Sequence, residues 1–268
     1  MIDFRQISLK LCGRLTGIKQ SQEGILQVAT GQRYREEAID SVQRIRPFLN
    51  GRPITLVTDN PAKVPSGFFD TVLMHPQPRR SYRDKILPLL NPPYKRTLFL
   101  DTDLELLSPI EDIFLILRSV DLVGCHAPVR WCDWKSPDVP EGFCELNSGV
   151  LGIRRSFRQR AMVRQWLKLY DKISVEFDQA TLRAALWWAF SKRGFRTWVL
   201  PPEYNLRTPK PWLTGAGMAV KIVHGRLTEE KRYLLHHYLN DNINHFRSSS
   251  NFPTGQNQQI LHHEFDYY

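Results

Sequence analysis

The sequence is poor in cysteine: four residues, Cys12, Cys125, Cys132 and Cys144, share neither C-x-x-C spacing nor a histidine pair at zinc spacing. That excludes a disulfide-stapled secreted scaffold and a structural zinc ribbon, and predicts reduced thiols in a cytosolic protein. No run of about 18 apolar residues occurs, so no membrane-spanning helix is expected. The opening stretch MIDFRQISLKLCGRL has no unbroken apolar core and no small-residue cleavage site, which argues against a secretory signal. No internal repeat is found. Acid is also the minor charge: 27 Asp and Glu stand against 37 Lys and Arg, a formal charge of +10 over 268 residues. The basic residues are dispersed, without a continuous basic window. This favours a focused anion pocket, or loose affinity for an anionic membrane face, over a nucleic-acid stripe.

Hydrophobic patterning predicts an α/β protein. GILQVAT (24–30), PITLVTD (53–59), FFDTVLMH (68–75), TLFLDTD (97–103), DLVGCHA (121–127), NSGVLGI (147–153), RTWVLPP (196–202) and VKIVHG (220–225) read as strands. YREEAIDSVQRIRPFL (34–49), SYRDKILPLL (81–90) and segments 157–173 and 178–193 read as helices. The second long helix carries Met162, Trp166, Leu169, Tyr170 and Ile173 on one stripe, and Trp187 and Trp188 are expected in the core of the third. The first 24 residues suit either an edge strand or an interfacial helix. From 241 to 268 the chain is rich in Asn, Gln, Ser and His and reads as a loosely attached or disordered tail behind a single domain of residues 1–240. Strands alternating with helices make an open, mostly parallel sheet with helices on both faces. Ligands of such sheets gather beyond the carboxyl ends of the strands.

Asp101 and Asp103, at the end of TLFLDTD, sit where such a ligand would lie. Carboxylates at i and i+2 of a strand point the same way and can share one hard divalent cation. The same string also occurs in solvated turns. A third reading, a phosphatase of the haloacid-dehalogenase type, wants Thr or Val where Glu105 stands and places its strand at the start of the domain.

Five motifs in order between residues 25 and 228 resemble the GT-A nucleotide-sugar glycosyltransferases, closest to the retaining family of glycogenin and the bacterial lipopolysaccharide galactosyl- and glucosyltransferases. They are VATGQRY (28–34), YRDK (82–85), LFLDTD (98–103), the pair ELNSGVLGIRRS (145–156) with DQATL (178–182), and KIVHGR (221–226). The resemblance implies a GT-A, Rossmann-like mixed sheet and transfer of a hexose from a nucleotide diphosphate sugar, with UDP first among the nucleotides. It implies Mn²⁺, with Mg²⁺ as second choice, held by Asp101, Asp103 and His224. It implies donor contacts from Thr30, Gly31, Tyr34, Thr102, Asn147, Ser148 and Arg226 or Lys231, and from Lys85 or Arg83. Gly31 departs from the acidic residue frequent there, which bears on the uridine preference. Asp178 and Gln179 would face the donor sugar, although Asp178 at a helix start has capping as its plain alternative. The acceptor is a glycan, lipid-linked molecule or protein of unspecified kind, and Trp131 and Trp134 in the Pro-rich loop 128–145 are candidates to stack on it. The expected location is cytoplasmic, with peripheral contact to the inner membrane face. A second reading keeps the fold and makes the chain a catalytically inactive binding protein for nucleotide sugars or other anions.

Overall fold

A computed structural model describes residues 21–129, 134–173, 175–208 and 219–230. Residues 1–20, Cys132, Trp131, Lys231 and the polar tail lie outside them. Ten strands and five α-helices occur among the described residues, linked by short 3₁₀ turns. The strands are β1 (Glu23–Ala29), β2 (Ile54–Thr58), β3 (Thr71–Met74), β4 (Arg96–Leu100), β5 (Leu104–Leu106), β6 (Leu122–His126), β7 (Leu146–Arg154), β8 (Thr197–Leu200), β9 (Leu206–Arg207) and β10 (Ile222–His224). The helices are α1 (Gln32–Ile45), α2 (Arg83–Ile86), α3 (Glu111–Ile116), α4 (Phe157–Lys172) and α5 (Gln179–Arg193).

Seven strands form the central sheet in the order β3-β2-β1-β4-β7-β6-β8, and β5-β10-β9 form a small second sheet. In the large sheet β7 alone runs antiparallel to its neighbours. This reversal matters for chemistry. The start of β7 is placed beside the end of β4, with Leu100 opposite Val150 and the Asp101 N–H donating to the Gly149 carbonyl at 2.9 Å.

Alternate residues of each strand serve opposite faces, because side chains alternate along a pleated chain. Ile25, Leu98, Leu100 and Val150 pack with Ala38, Val42 and Ile45 of α1, Phe114 of α3 and Ile222 of the small sheet. Leu26, Phe99, Leu151 and Ile153 face Met162, Val163 and Trp166 of α4 and Leu182 and Leu186 of α5. Both faces are covered, so the strands read as continuous apolar runs. No helix among the described residues is long and apolar enough to cross a membrane.

Several boundaries differ from the sequence reading. The helix expected to reach residue 49 ends at Ile45 and tightens into a 3₁₀ turn over Arg46–Phe48, because Pro47 has no N–H to continue the ladder. Pro88 does the same after α2, which is a single turn followed by 3₁₀ residues Leu87–Leu90. The strand expected over 97–103 divides: β4 stops at Leu100, and β5 begins at Leu104 in the other sheet. Trp187 and Trp188 are half-buried, Trp187 lying edge-on to Phe143 with ring centroids 5.3 Å apart.

Tyr94 pins β1 to β2. Its hydroxyl shares a 2.7 Å hydrogen bond with Thr55 Oγ1, and its ring lies against the Gly24 backbone where no side chain would fit. Burial pushes the phenol up to about 12. A raised folded-state value stabilises the fold below the ordinary tyrosine range and loses that contribution as pH rises from about 10 to 12. The expected loss is about 2 kcal/mol, read by denaturant titration at pH 9 and 11.5, and Tyr94→Phe should flatten it.

Candidate metal centre

Segments distant in sequence meet at the carboxyl edge of the parallel strands. The chain leaves the large sheet at Asp101, crosses through Thr102 and Asp103, and enters the small sheet at Leu104, which pairs with His224 at the end of β10. The Gly225 N–H donates to the Asp103 carbonyl at 2.9 Å, locking the two ends together. One oxygen each from Asp101 and Asp103 and one ring nitrogen of His224 lie within 4.8 Å of one another. His224 Nε2 is 3.3 Å from Asp103 Oδ1 and 3.8 Å from Asp101 Oδ2.

The chemistry of these three side chains decides which cation they could hold. Two carboxylates and an imidazole suit Mn²⁺, which accepts oxygen and nitrogen donors, better than the all-oxygen preference of Mg²⁺. The backbone is shaped to bring them together: a methyl at Gly149 would overlap His224 Cε1 and press within 2.7 Å of Asp101 Oδ2. Burial opposes the charge of Asp103, but the hydrogen bond and charge of His224 and the guanidinium of Arg226 outweigh it and hold the carboxyl below the usual carboxylate range. A divalent cation there would bring its own positive charge against the two carboxylates. Gly149→Ala is expected to cost about 1–3 kcal/mol of stability from overpacking. It should also weaken any divalent-cation binding at this group more than tenfold, as calorimetric titration would record.

Lys85 lies next to this cluster, on α2. Its Nζ donates to Ser148 Oγ at 2.9 Å and stands 3.5 Å from Asp101 Oδ2 and 3.4 Å from Asp178 Oδ1. Burial opposes its charge, yet the two carboxylates prevail and raise its pKa above that of an ordinary lysine. Arg83, the alternative donor-facing cation, turns away and holds α4 through Asp171, with contacts of 2.6 and 3.0 Å.

Asp178 precedes α5 but makes no side-chain cap. Its carbonyl accepts from Trp166 Nε1 at 3.1 Å and from Thr181 Oγ1 at 2.9 Å, which fixes the backbone. The carboxylate points back toward β7 instead. Oδ1 accepts from Ser148 Oγ at 3.0 Å, while Oδ2 is buried with no hydrogen-bond partner. Burial raises the pKa of this group, offset in part by Lys85. A buried carboxylate oxygen without a partner, next to the Asp101, Asp103 and His224 group, is suited to accept hydroxyl hydrogen bonds. Gln179 follows, its Oε1 accepting from Asn147 Nδ2 at 3.2 Å.

The remaining expected residues are distributed as follows. Gly31 takes φ +92, a left-handed turn between β1 and α1 that favours glycine. The Thr30 hydroxyl is committed to Asp84 Oδ2 at 2.7 Å. Tyr34 is 44% exposed at the start of α1, with the Arg226 guanidinium 6.0 Å from its ring. Arg226 also lies 3.8 Å from Asp103 and 3.3 Å from Glu37. Thr102 is buried in the crossing. Trp134 is half-buried in its loop. A cavity of about 280 Å³ opens between α1 and the small sheet, with Arg33, Glu37, Asp103 and Arg226 on its wall.

Sequence reasoning missed three participants. Tyr82, within the quoted YRDK, covers Lys85 with its ring at 5.1 Å and tilts against Phe177 at 5.6 Å. Glu37, one helical turn after Tyr34, holds Arg226. Asn205 lies between the small sheet and β7, and only a tertiary contact distinguishes it from any other turn asparagine.

No family model and no curated protein matches the sequence. Among solved structures the fold overlaps that of mouse xyloside xylosyltransferase 1, apo form, with TM-score 0.48 and 13% identity over 76% of this chain and 97% of that one.

Proposed function

We propose that this chain is a metal-dependent GT-A-type glycosyltransferase that takes a hexose from a nucleotide diphosphate sugar, first of all a UDP-sugar, and passes it with retention to a glycan, lipid-linked or protein acceptor. The observation that carries the reading is the adjacency of two unlike clusters. Asp101, Asp103 and His224 offer a divalent-cation site, and immediately beside them Lys85 and Ser148 hold Asp178 Oδ1, leaving the buried Oδ2 of the same carboxylate without a hydrogen-bond partner.

Mn²⁺ bound there would neutralise the diphosphate and the charge left on it as the glycosidic bond breaks. Arg226, at the mouth, gives the diphosphate a second cation, and its contacts with Glu37 and Asp103 keep it within reach. Tyr34, exposed beside it, offers a face for the nucleobase. Asp178 Oδ2 accepts from a sugar hydroxyl, while Lys85 balances Asp178 and Asp101. The Gln179 amide, held by Asn147, lies on the sugar side and is neutral, which suits retention better than a strong carboxylate base would.

A donor screen tests this reading. Purified protein with Mn²⁺ is offered nucleotide diphosphate sugars, nucleotide release is scored, and NMR of the product reads the anomeric configuration. UDP release from one UDP-hexose with retained configuration is the expected result. No release from any nucleotide sugar, with or without Mn²⁺, would contradict it.

A further inference from the structure

We propose that Asn205 is a positioning residue for the metal centre: it fixes the His224 ring so that Nε2, and not Nδ1, faces Asp101 and Asp103. This rests on the metal site proposed above.

The chain starts at a backbone group whose role is not open to choice. The Gly149 N–H can only donate, and it does so to the Asn147 side chain at 3.0 Å, so the receiving atom is Oδ1. The same Oδ1 takes a second hydrogen bond of 2.9 Å from Asn205, which must therefore present its amide nitrogen. Asn205 is then left with Oδ1 for its other neighbour, His224 Nδ1, at 2.9 Å. An oxygen there requires Nδ1 to carry the proton. The lone pair of the neutral imidazole is consequently on Nε2, the nitrogen 3.3 Å from Asp103. At the far end the Asn147 amide donates to Gln179, so the sugar-side glutamine and the metal-side histidine share one chain.

Asn205 is fully buried and His224 nearly so, so no solvent stands ready to replace a lost partner. Partners of this kind orient metal-binding imidazoles and raise their basicity, and removing one typically costs about 10–100-fold in metal affinity. The residue sits just before β9, at the end of the 3₁₀ turn Pro202–Tyr204, where Pro202 limits the backbone. It immediately precedes Leu206, which pairs with Val223, the neighbour of His224.

The test compares the parent chain, Asn205→Ala, Asn205→Asp and a His224→Ala control, without nucleotide. Free Mn²⁺ is measured by electron paramagnetic resonance, Mg²⁺ by competition against Mn²⁺, and folding by thermal melting. Asn205→Ala should raise the Mn²⁺ Kd about 10–100-fold. The Mg²⁺ Kd should change less, since what is lost is the aim of a nitrogen donor; general loosening of the site would weaken both ions alike. Asn205→Asp retains an acceptor for Nδ1–H but loses the donor to Asn147 Oδ1, so it should keep more of the Mn²⁺ affinity than Asn205→Ala does. Equal Mn²⁺ affinity in the parent and a folded Asn205→Ala overturns the role of Asn205 and leaves the metal site standing. A parent that binds no Mn²⁺ removes both. If Asn205→Ala does not fold, Asn205→Asp decides: affinity retained above that of His224→Ala supports the proposal, and loss as large as that of His224→Ala overturns it.

Discussion

Asp103→Asn is expected to reduce Mn²⁺-dependent UDP release by about a thousandfold or more, a loss of roughly 4 kcal/mol of transition-state stabilisation. The carboxamide keeps the shape of the side chain but supplies neither the charge nor the second oxygen that a hard cation needs. Asp103 serves both sides of the site, since it stands 3.3 Å from His224 Nε2 and 3.8 Å from Arg226. The backbone contacts that hold it do not involve its side chain: its carbonyl receives the Gly225 N–H, and the neighbouring Leu104 continues into β5. The variant should therefore fold, with near-parental circular dichroism and a small shift in Tm. Parental rates in Asp103→Asn would refute the assignment of this aspartate to the metal.

Lys85→Met is expected to have the largest effect on stability, about 3–5 kcal/mol, because it strands carboxylates in a buried place instead of removing a surface charge. Lys85 is the cation common to Asp101 and Asp178 and is itself buried. Without it Asp178 faces only the Ser148 hydroxyl, and burial would drive its proton affinity higher still. Adding Asp178→Asn to Lys85→Met removes the stranded charge and should recover a large part of the loss, whereas Asp178→Asn alone leaves Lys85 paired with Asp101. Urea denaturation of the four proteins closes the cycle. Strictly additive effects of the two substitutions would show that Lys85 and Asp178 are not coupled.

Much of this site could be read from the chain. The apolar run ending in Asp101 and Asp103 predicted a strand terminus, and the structure places it at the carboxyl edge of the sheet. The pairing of Asp178 with Gln179 pointed to one helix start, and His224 before Gly225 pointed to a late strand end. What escaped the sequence was set by contacts between distant segments. Nothing local to TLFLDTDLELL indicates that one strand will divide between two sheets, because both halves are equally apolar and the division is imposed by pairing with His224. The choice between Arg83 and Lys85 could not be made from charge. On a helical turn, residues two apart point about 200° from one another, so only one of them can face the site. The partner of Arg83 is Asp171, far along the chain. Asn205 gave no signal at all, since an asparagine after two prolines reads as turn chemistry.

Titrating the full chain with Mn²⁺ in the presence and absence of UDP, with bound metal read by electron paramagnetic resonance, tests the central claim most directly. One Mn²⁺ per chain, bound more tightly when UDP is present and lost in Asp101→Asn and Asp103→Asn, is the predicted result. Absence of bound Mn²⁺ under both conditions, or binding that survives both substitutions, would contradict it.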